Sequence, residues 1–208
     1  MRRPATLLLA AAAAAGAAPA TAHVPVLLPG GDGPVPTVLD GRQHVVFYGA
    51  LGRRSFAAFR VRMAAGERFT AQLLVPNLPP ERRLAARRLP RVRITAPGRA
   101  PVVLRPATRD VFDEPFTGTS YLSLGTYATP AVAGDYALEV RTRSAARFVV
   151  ATGSAESPTA QVANGRCMTI EELRRWYATP APAHRRLEAA QGVATCLLTG
   201  GQAAPDPA

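Results

Sequence analysis

The sequence contains no lysine, and all 25 of its Lys and Arg positions are arginine. The missing lysine excludes the phosphate-binding loop that ends in a glycine–lysine pair. Histidine is also scarce, with three in 208 residues, and no G-x-S-x-G segment is present, so a serine activated by a histidine is not indicated. The sequence therefore favours a protein that is not an enzyme, and it offers no catalytic residues.

Long apolar runs are absent after residue 22, where no segment approaches the ~20 residues needed to span a bilayer. Residues 1–22 instead combine Arg2 and Arg3, a short run of leucines and alanines, and the ending Ala20-Thr21-Ala22. These are the three parts of a signal peptide. We expect cleavage after Ala22, a mature chain that begins at His23, no transmembrane anchor after cleavage, and a periplasmic or extracellular location.

Acidic residues are few, so the formal net charge is +11. No basic helix or aromatic–basic platform accompanies this charge, and we expect no binding to nucleic acid. Adhesion to acidic polymers of the cell envelope remains open. The segment "PPERRLAARRLPRVR", which contains Arg87 and Arg88, has two interpretations: an anion-binding patch, or a solvated crossover loop, which is the more common role of a run of like charges.

Only two cysteines are present, Cys167 and Cys196. In an oxidising compartment they are expected to pair, which stabilises a loop of about 30 residues by roughly 3–4 kcal/mol. Thr169 followed by Glu172 predicts a helix with a capping box, and a second helix is predicted from about 183 to 198. Residues 154–208 thus predict a disulfide-closed helical hairpin with a disordered end. Trp176 would staple this hairpin to the edge of the sandwich or anchor a partner.

Residues 23–36 are rich in proline and glycine and predict an extended lead-in. From 37 to 153 apolar residues alternate with polar ones, as in "FRVRM", where Phe59, Val61 and Met63 share one face. Alternation of this kind is typical of strands with one buried face. The predicted fold is all-β: an antiparallel β-sandwich of about eight strands.

Several quoted segments carry a family resemblance over residues 37–153. "YGALGRRSFAAFRVRMAAGERFTAQLLVP" resembles the opening of pre-peptidase C-terminal-type domains, and "AVAGDYALEVRT" resembles their closing strand. "DEPFTGTSY" is similar to a segment of uncharacterised exported prokaryotic proteins. The resemblance implies a jelly-roll-like β-sandwich that acts as a non-catalytic accessory module and binds an envelope polymer or a partner protein.

Two groups of residues suggest metal ligands. Asp110, Asp113 and Glu114 form the only tight acidic group and could hold calcium. His23, once exposed by cleavage, resembles the first ligand of the histidine brace in secreted copper monooxygenases, with His44 or His184 as the second ligand. The alternative function is therefore a small periplasmic copper protein or copper enzyme; the simpler interpretation of His23 is a mobile amino terminus.

Overall fold

The computed structural model describes residues 23–115, 117–157 and 159–181, and the backbone of 193–197. These residues form fourteen strands and one α-helix. The elements, in chain order, are β1 Val24–Leu28, β2 Thr37–Val38, β3 Val45–Leu51, β4 Phe56–Met63, β5 Arg68–Pro76, β6 Arg91–Thr95, β7 Val102–Leu104, β8 Asp110–Glu114, β9 Thr119–Pro130, β10 Gly134–Arg141, β11 Ala146–Thr152, β12 Thr159–Ala163, β13 Arg166–Cys167, α1 Ile170–Ala178 and β14 Val193–Leu197. Two short 3-10 turns, Glu81–Arg83 and Ala86–Arg88, lie between β5 and β6.

The strands form two seven-stranded sheets. Sheet A has the order β13-β1-β3-β11-β5-β9-β8, and sheet B has the order β14-β12-β2-β4-β10-β6-β7. Both sheets are mixed, because β1 runs parallel to β3 and β2 runs parallel to β4. The prediction of purely antiparallel sheets was therefore wrong for these two pairs, and residues 37–153, predicted to form about eight strands, form ten, β2 to β11. Alternation reports which face of a strand is buried and carries no information on the direction of its neighbours.

One hydrophobic core joins the two sheets. Phe47 of sheet A stacks on Phe59 of sheet B with 4.0 Å between ring centroids, and Phe69 stacks on Tyr136 at 4.3 Å. The alternation predicted for β4 is confirmed, since Phe59, Val61 and Met63 are buried while the arginines between them are exposed. The inner faces of both sheets thus pack against each other, and the polar face of sheet B meets solvent.

The outer face of sheet A is covered by helix α1. A second apolar cluster joins Tyr48, Tyr121 and neighbouring strand residues to Leu173 and Trp176 of the helix. The indole of Trp176 packs edge-on against Tyr48, with centroids 5.1 Å apart. Because Trp176 is only 4% exposed, it is not the exposed partner anchor considered above. It packs helix α1 on the face of sheet A, and not a hairpin on the edge of the sandwich as predicted.

The segment after residue 153 belongs to the sheets. Strand β12 pairs with β2 and β14, and β13 pairs with β1. The capping box of α1 is confirmed, with reciprocal hydrogen bonds between Thr169 and Glu172. The helical hairpin is not supported, because residues 193–197 form strand β14 where the second helix was predicted; the rest of that helix, and the signal peptide, lie outside the described residues.

The two cysteines lie on strands at the same edge of the molecule. Cys167 is in β13 and is disulfide-bonded, and Cys196 is in β14, whose side chains are not described. The pairing of Cys167 with Cys196 therefore stays a prediction. Within the described residues, no helix combines the length and the apolar character that crossing a bilayer requires.

Candidate functional site

A groove lined by arginines opens at one end of sheet B. Its volume is about 1060 Å³, within or just above the range of small-molecule sites. We call it the arginine groove and define it by its eight arginines: Arg53, Arg54, Arg87, Arg88, Arg91, Arg105, Arg141 and Arg143.

Strand register explains why arginines that are distant in sequence meet here. Arg141, at the end of β10, pairs opposite Arg91 at the start of β6 and opposite Phe56 at the start of β4. The turn before β4 and the loop after β10 therefore reach the same end of sheet B. The crossover between β5 and β6 folds over that end and adds Arg87 and Arg88 from its second 3-10 turn.

Most of these charges have no acidic neighbour. No aspartate or glutamate lines the groove in the described part of the chain, and the carboxylate within ion-pair distance there is Glu139, which holds Arg141. Like charges placed directly opposite in a sheet, as Arg91 and Arg141 are, destabilise the fold. Arg54 adds strain, since its φ of 58° is in the left-handed region that costs an ordinary residue about 1–2 kcal/mol.

The basic surface continues along the outer face of sheet B. A second depression of about 450 Å³ shares Arg91 and Arg141 with the groove and adds Arg93, Glu139 and Val103. Arg93 lies directly opposite Glu139. The two depressions form a track that is longer than a single small anion requires.

The sequence indicated only part of this site. Arg87 and Arg88 are exposed and line the groove, so the anion-binding interpretation of the crossover agrees with their placement. Arg91 belongs to the same segment. The other five arginines of the groove were missed, because each is an ordinary exposed residue in its own segment. Only the β6–β10–β4 register brings them together.

The acidic group proposed for calcium is not assembled. Asp110 and Asp113 are exposed on edge strand β8, whereas Glu114 is buried. The carboxylate of Glu114 accepts hydrogen bonds from the backbone N–H and the hydroxyl of Thr117, so it closes the turn that follows. No set of three or more His, Cys, Asp or Glu side chains among the described residues is placed to hold a metal ion.

The two described histidines, in contrast, lie side by side. His23 and His44 immediately precede β1 and β3, and the parallel register pairs Val24 with Val45. Their ring centroids are 5.7 Å apart and the rings are tilted by 58°. Nε2 of His23 shares a 2.8 Å hydrogen bond with the hydroxyl of Tyr48. The mobile amino terminus expected from sequence is thus wrong, since this segment is a buried strand of sheet A.

Burial keeps both imidazoles uncharged near neutral pH. It is the main reason that the pKa of His23 falls to about 4, with the neighbouring His44 lowering it further. Burial also lowers the pKa of His44, opposed by the carboxylate of Glu156. The pKa of Tyr48 is raised, again chiefly by burial, so its phenol stays protonated. Neutral imidazole is the form that binds metals.

In comparisons with known proteins, no family model and no curated protein matches this chain.

Proposed function

We propose that this protein is an exported, non-catalytic β-sandwich module, jelly-roll-like as the family resemblance implies, that binds an acidic polymer of the cell envelope in the arginine groove. The observation that carries the proposal is the concentration of eight arginines at one end of sheet B without acidic side chains among them. Bringing these charges together costs stability, because like charges repel. Of these eight, only Arg141 has an acidic partner among the described residues, Glu139, and the other seven arginines have none within ion-pair distance. An anionic ligand supplies the missing partner.

The chemistry of arginine fits this ligand class. Guanidinium groups present planar pairs of N–H donors that bind phosphate, sulfate or carboxylate through two hydrogen bonds. The track through Arg91, Arg93 and Arg141 extends the groove along the sheet, which suits a linear polymer with repeated charges. The signal-peptide pattern of residues 1–22 supports an encounter with such polymers outside the cytoplasm.

The proposal is tested by measuring polymer binding to the mature protein by fluorescence anisotropy. Labelled polyphosphate and polygalacturonate serve as the phosphate and carboxylate probes, dextran as the neutral polymer, and duplex DNA as the nucleic-acid competitor. We expect binding to one or both acidic polymers that weakens as salt screens the charges, and none to dextran.

Two matched variants distinguish the contribution of the groove to binding from the contribution of net charge. Arg87→Ser/Arg88→Ser removes two groove arginines, and Arg68→Ser/Arg174→Ser removes two exposed arginines elsewhere. Each exposed contact is worth up to about 1 kcal/mol, so we expect the first pair to weaken binding about tenfold and the second to change it little. Equal losses in both variants, or tighter binding to DNA than to either polymer, would overturn the proposal.

A further inference from the structure

The histidine pair provides a second site, on the outer face of sheet A, that does not depend on the arginine groove. His23 and His44 fall in phase with Leu27, Val46 and Tyr48 along β1 and β3, and these three residues belong to the cluster beneath helix α1. The alternation of a strand therefore places both imidazoles on that same outer face. The arginine groove lies at an end of the other sheet, so the two sites share no residue.

The hydrogen bonds leave one specific nitrogen of His23 available. Tyr48 occupies Nε2, whereas no hydrogen bond to Nδ1 is found among the described residues. Nδ1 is the ring nitrogen nearest the residue's own backbone nitrogen. After cleavage behind Ala22 that nitrogen becomes a free amine, so amine and Nδ1 can close one chelate ring on a metal ion. The second imidazole, His44, stands 5.7 Å away between centroids.

The backbone next to His23 excludes the usual competing mode of binding at an amino terminus. There, a metal commonly replaces the protons of the second and third amide nitrogens. Here the amide of Val24 donates to the carbonyl of His44 at 3.1 Å, and Pro25 has no amide proton. The available donors are therefore one amine and two imidazoles.

We propose that the mature protein binds one Cu²⁺ through the α-amine and Nδ1 of His23 and an imidazole nitrogen of His44. Three nitrogen donors favour Cu²⁺ over the other divalent first-row ions, including Zn²⁺. With the metal on Nδ1, the remaining ring proton is on Nε2 and is donated to the oxygen of Tyr48. Such an outer partner fixes the orientation of a ligating histidine, and the packing of Tyr48 against Trp176 holds it in place.

The test uses the full chain, exported with its own leader and purified from the compartment that it reaches. Intact mass gives the first residue, and CuSO4 titration with metal analysis and electron paramagnetic resonance gives stoichiometry and donor atoms. We expect a start at His23, one Cu²⁺ per chain, and hyperfine coupling to nitrogen. A start at any other residue, binding of fewer than one ion, or tighter binding of Zn²⁺ would overturn the proposal.

Four variants test the individual donors. An alanine inserted before His23 blocks the chelate ring, and His44→Gln removes the second imidazole while keeping a polar side chain of similar size. We expect each to weaken Cu²⁺ binding by more than about 100-fold, because loss of only a hydrogen-bond partner of a metal ligand already lowers metal affinity by about 10–100-fold. Tyr48→Phe tests that outer partner and is expected to fall within the 10–100-fold range. His184→Ala, at the third histidine of the mature chain, is the control and is expected to bind normally.

Circular dichroism of each variant distinguishes a lost copper ligand from a lost fold. The alanine insertion adds a residue at the terminus and leaves every core side chain in place, so its fold is expected to match that of the parent protein. Unchanged Cu²⁺ affinity in the alanine insertion or in a folded His44→Gln would overturn the assignment of the corresponding donor and, with it, the site.

Discussion

At the scale of single residues, the ion pair between Arg147 and Glu81 is the most deeply buried ion pair among the described residues. Their side chains are 1% and 0% exposed, and the shorter of their contacts is 2.6 Å. Glu81 also accepts a hydrogen bond from the backbone N–H of Arg147, and the guanidinium donates to the carbonyls of Pro79 and Tyr177. The side chain of Arg147 therefore connects the crossover, strand β11 and helix α1.

Removing the carboxylate of Glu81 is expected to destabilise the fold strongly. Glu81→Leu leaves a buried guanidinium without its counter-charge, and we expect the free energy of unfolding to fall by about 3–5 kcal/mol, measured by urea denaturation. Asp135→Asn removes the partner of Arg62 in an exposed pair at 3.0 Å and should cost less than about 1 kcal/mol. A similar small effect in both variants would mean that the buried pair does not hold the crossover in place.

At the scale of elements, helix α1 buries the outer face of sheet A around β1 and β3. Strands β1 and β3 are consequently buried at nearly every position, which is why their sequences show no alternation. The helix itself was predictable, because its capping box and its apolar spacing are local. Its position on the sheet was not, since the contact between Trp176 and Tyr48 joins residues 128 apart in the chain.

The contribution of this contact to stability can be measured by replacing Trp176 with alanine. Trp176→Ala should lower the free energy of unfolding by about 3–5 kcal/mol, the usual effect of a large buried aromatic, as followed by urea denaturation. Arg174→Ala, on the exposed side of the same helix, should change it by no more than about 0.5 kcal/mol. A loss below 1 kcal/mol for Trp176→Ala would indicate that the helix is not part of the cooperative fold.

At the scale of the whole molecule, the chain after residue 153 closes both sheets. Ala160 and Val162 of β12 are core residues, and β13 covers the edge of β1. Gly153 allows this path: its φ is 73°, and a Cβ there would lie 2.0 Å from the carbonyl oxygen of Gln43. The core and both sheets therefore continue across residue 153, where the sequence predicted a domain boundary.

Truncation tests this continuity. A chain that ends at Gly153 loses β12, β13, helix α1 and β14. We expect it to show no cooperative unfolding transition by far-ultraviolet circular dichroism, because β1, β2 and the core between the sheets become exposed. A chain that ends at Leu197 keeps all fourteen strands and should unfold cooperatively. If the shorter chain unfolds cooperatively and is as stable as the longer one, residue 153 is a domain boundary as the sequence predicted.

The sequence by itself determined the strand-rich fold class, the faces of alternating strands such as β4, the capped helix and the arginine-rich crossover, because each depends on neighbours within one element. It pointed to His23 and His44 as residue types but gave no reason for them to meet. Only the tertiary structure decided the parallel pairing of β1 with β3, the second buried face of sheet A and the gathering of eight arginines at one end of sheet B. These features depend on which strands become neighbours, and hydrophobic periodicity along the chain does not determine strand pairing.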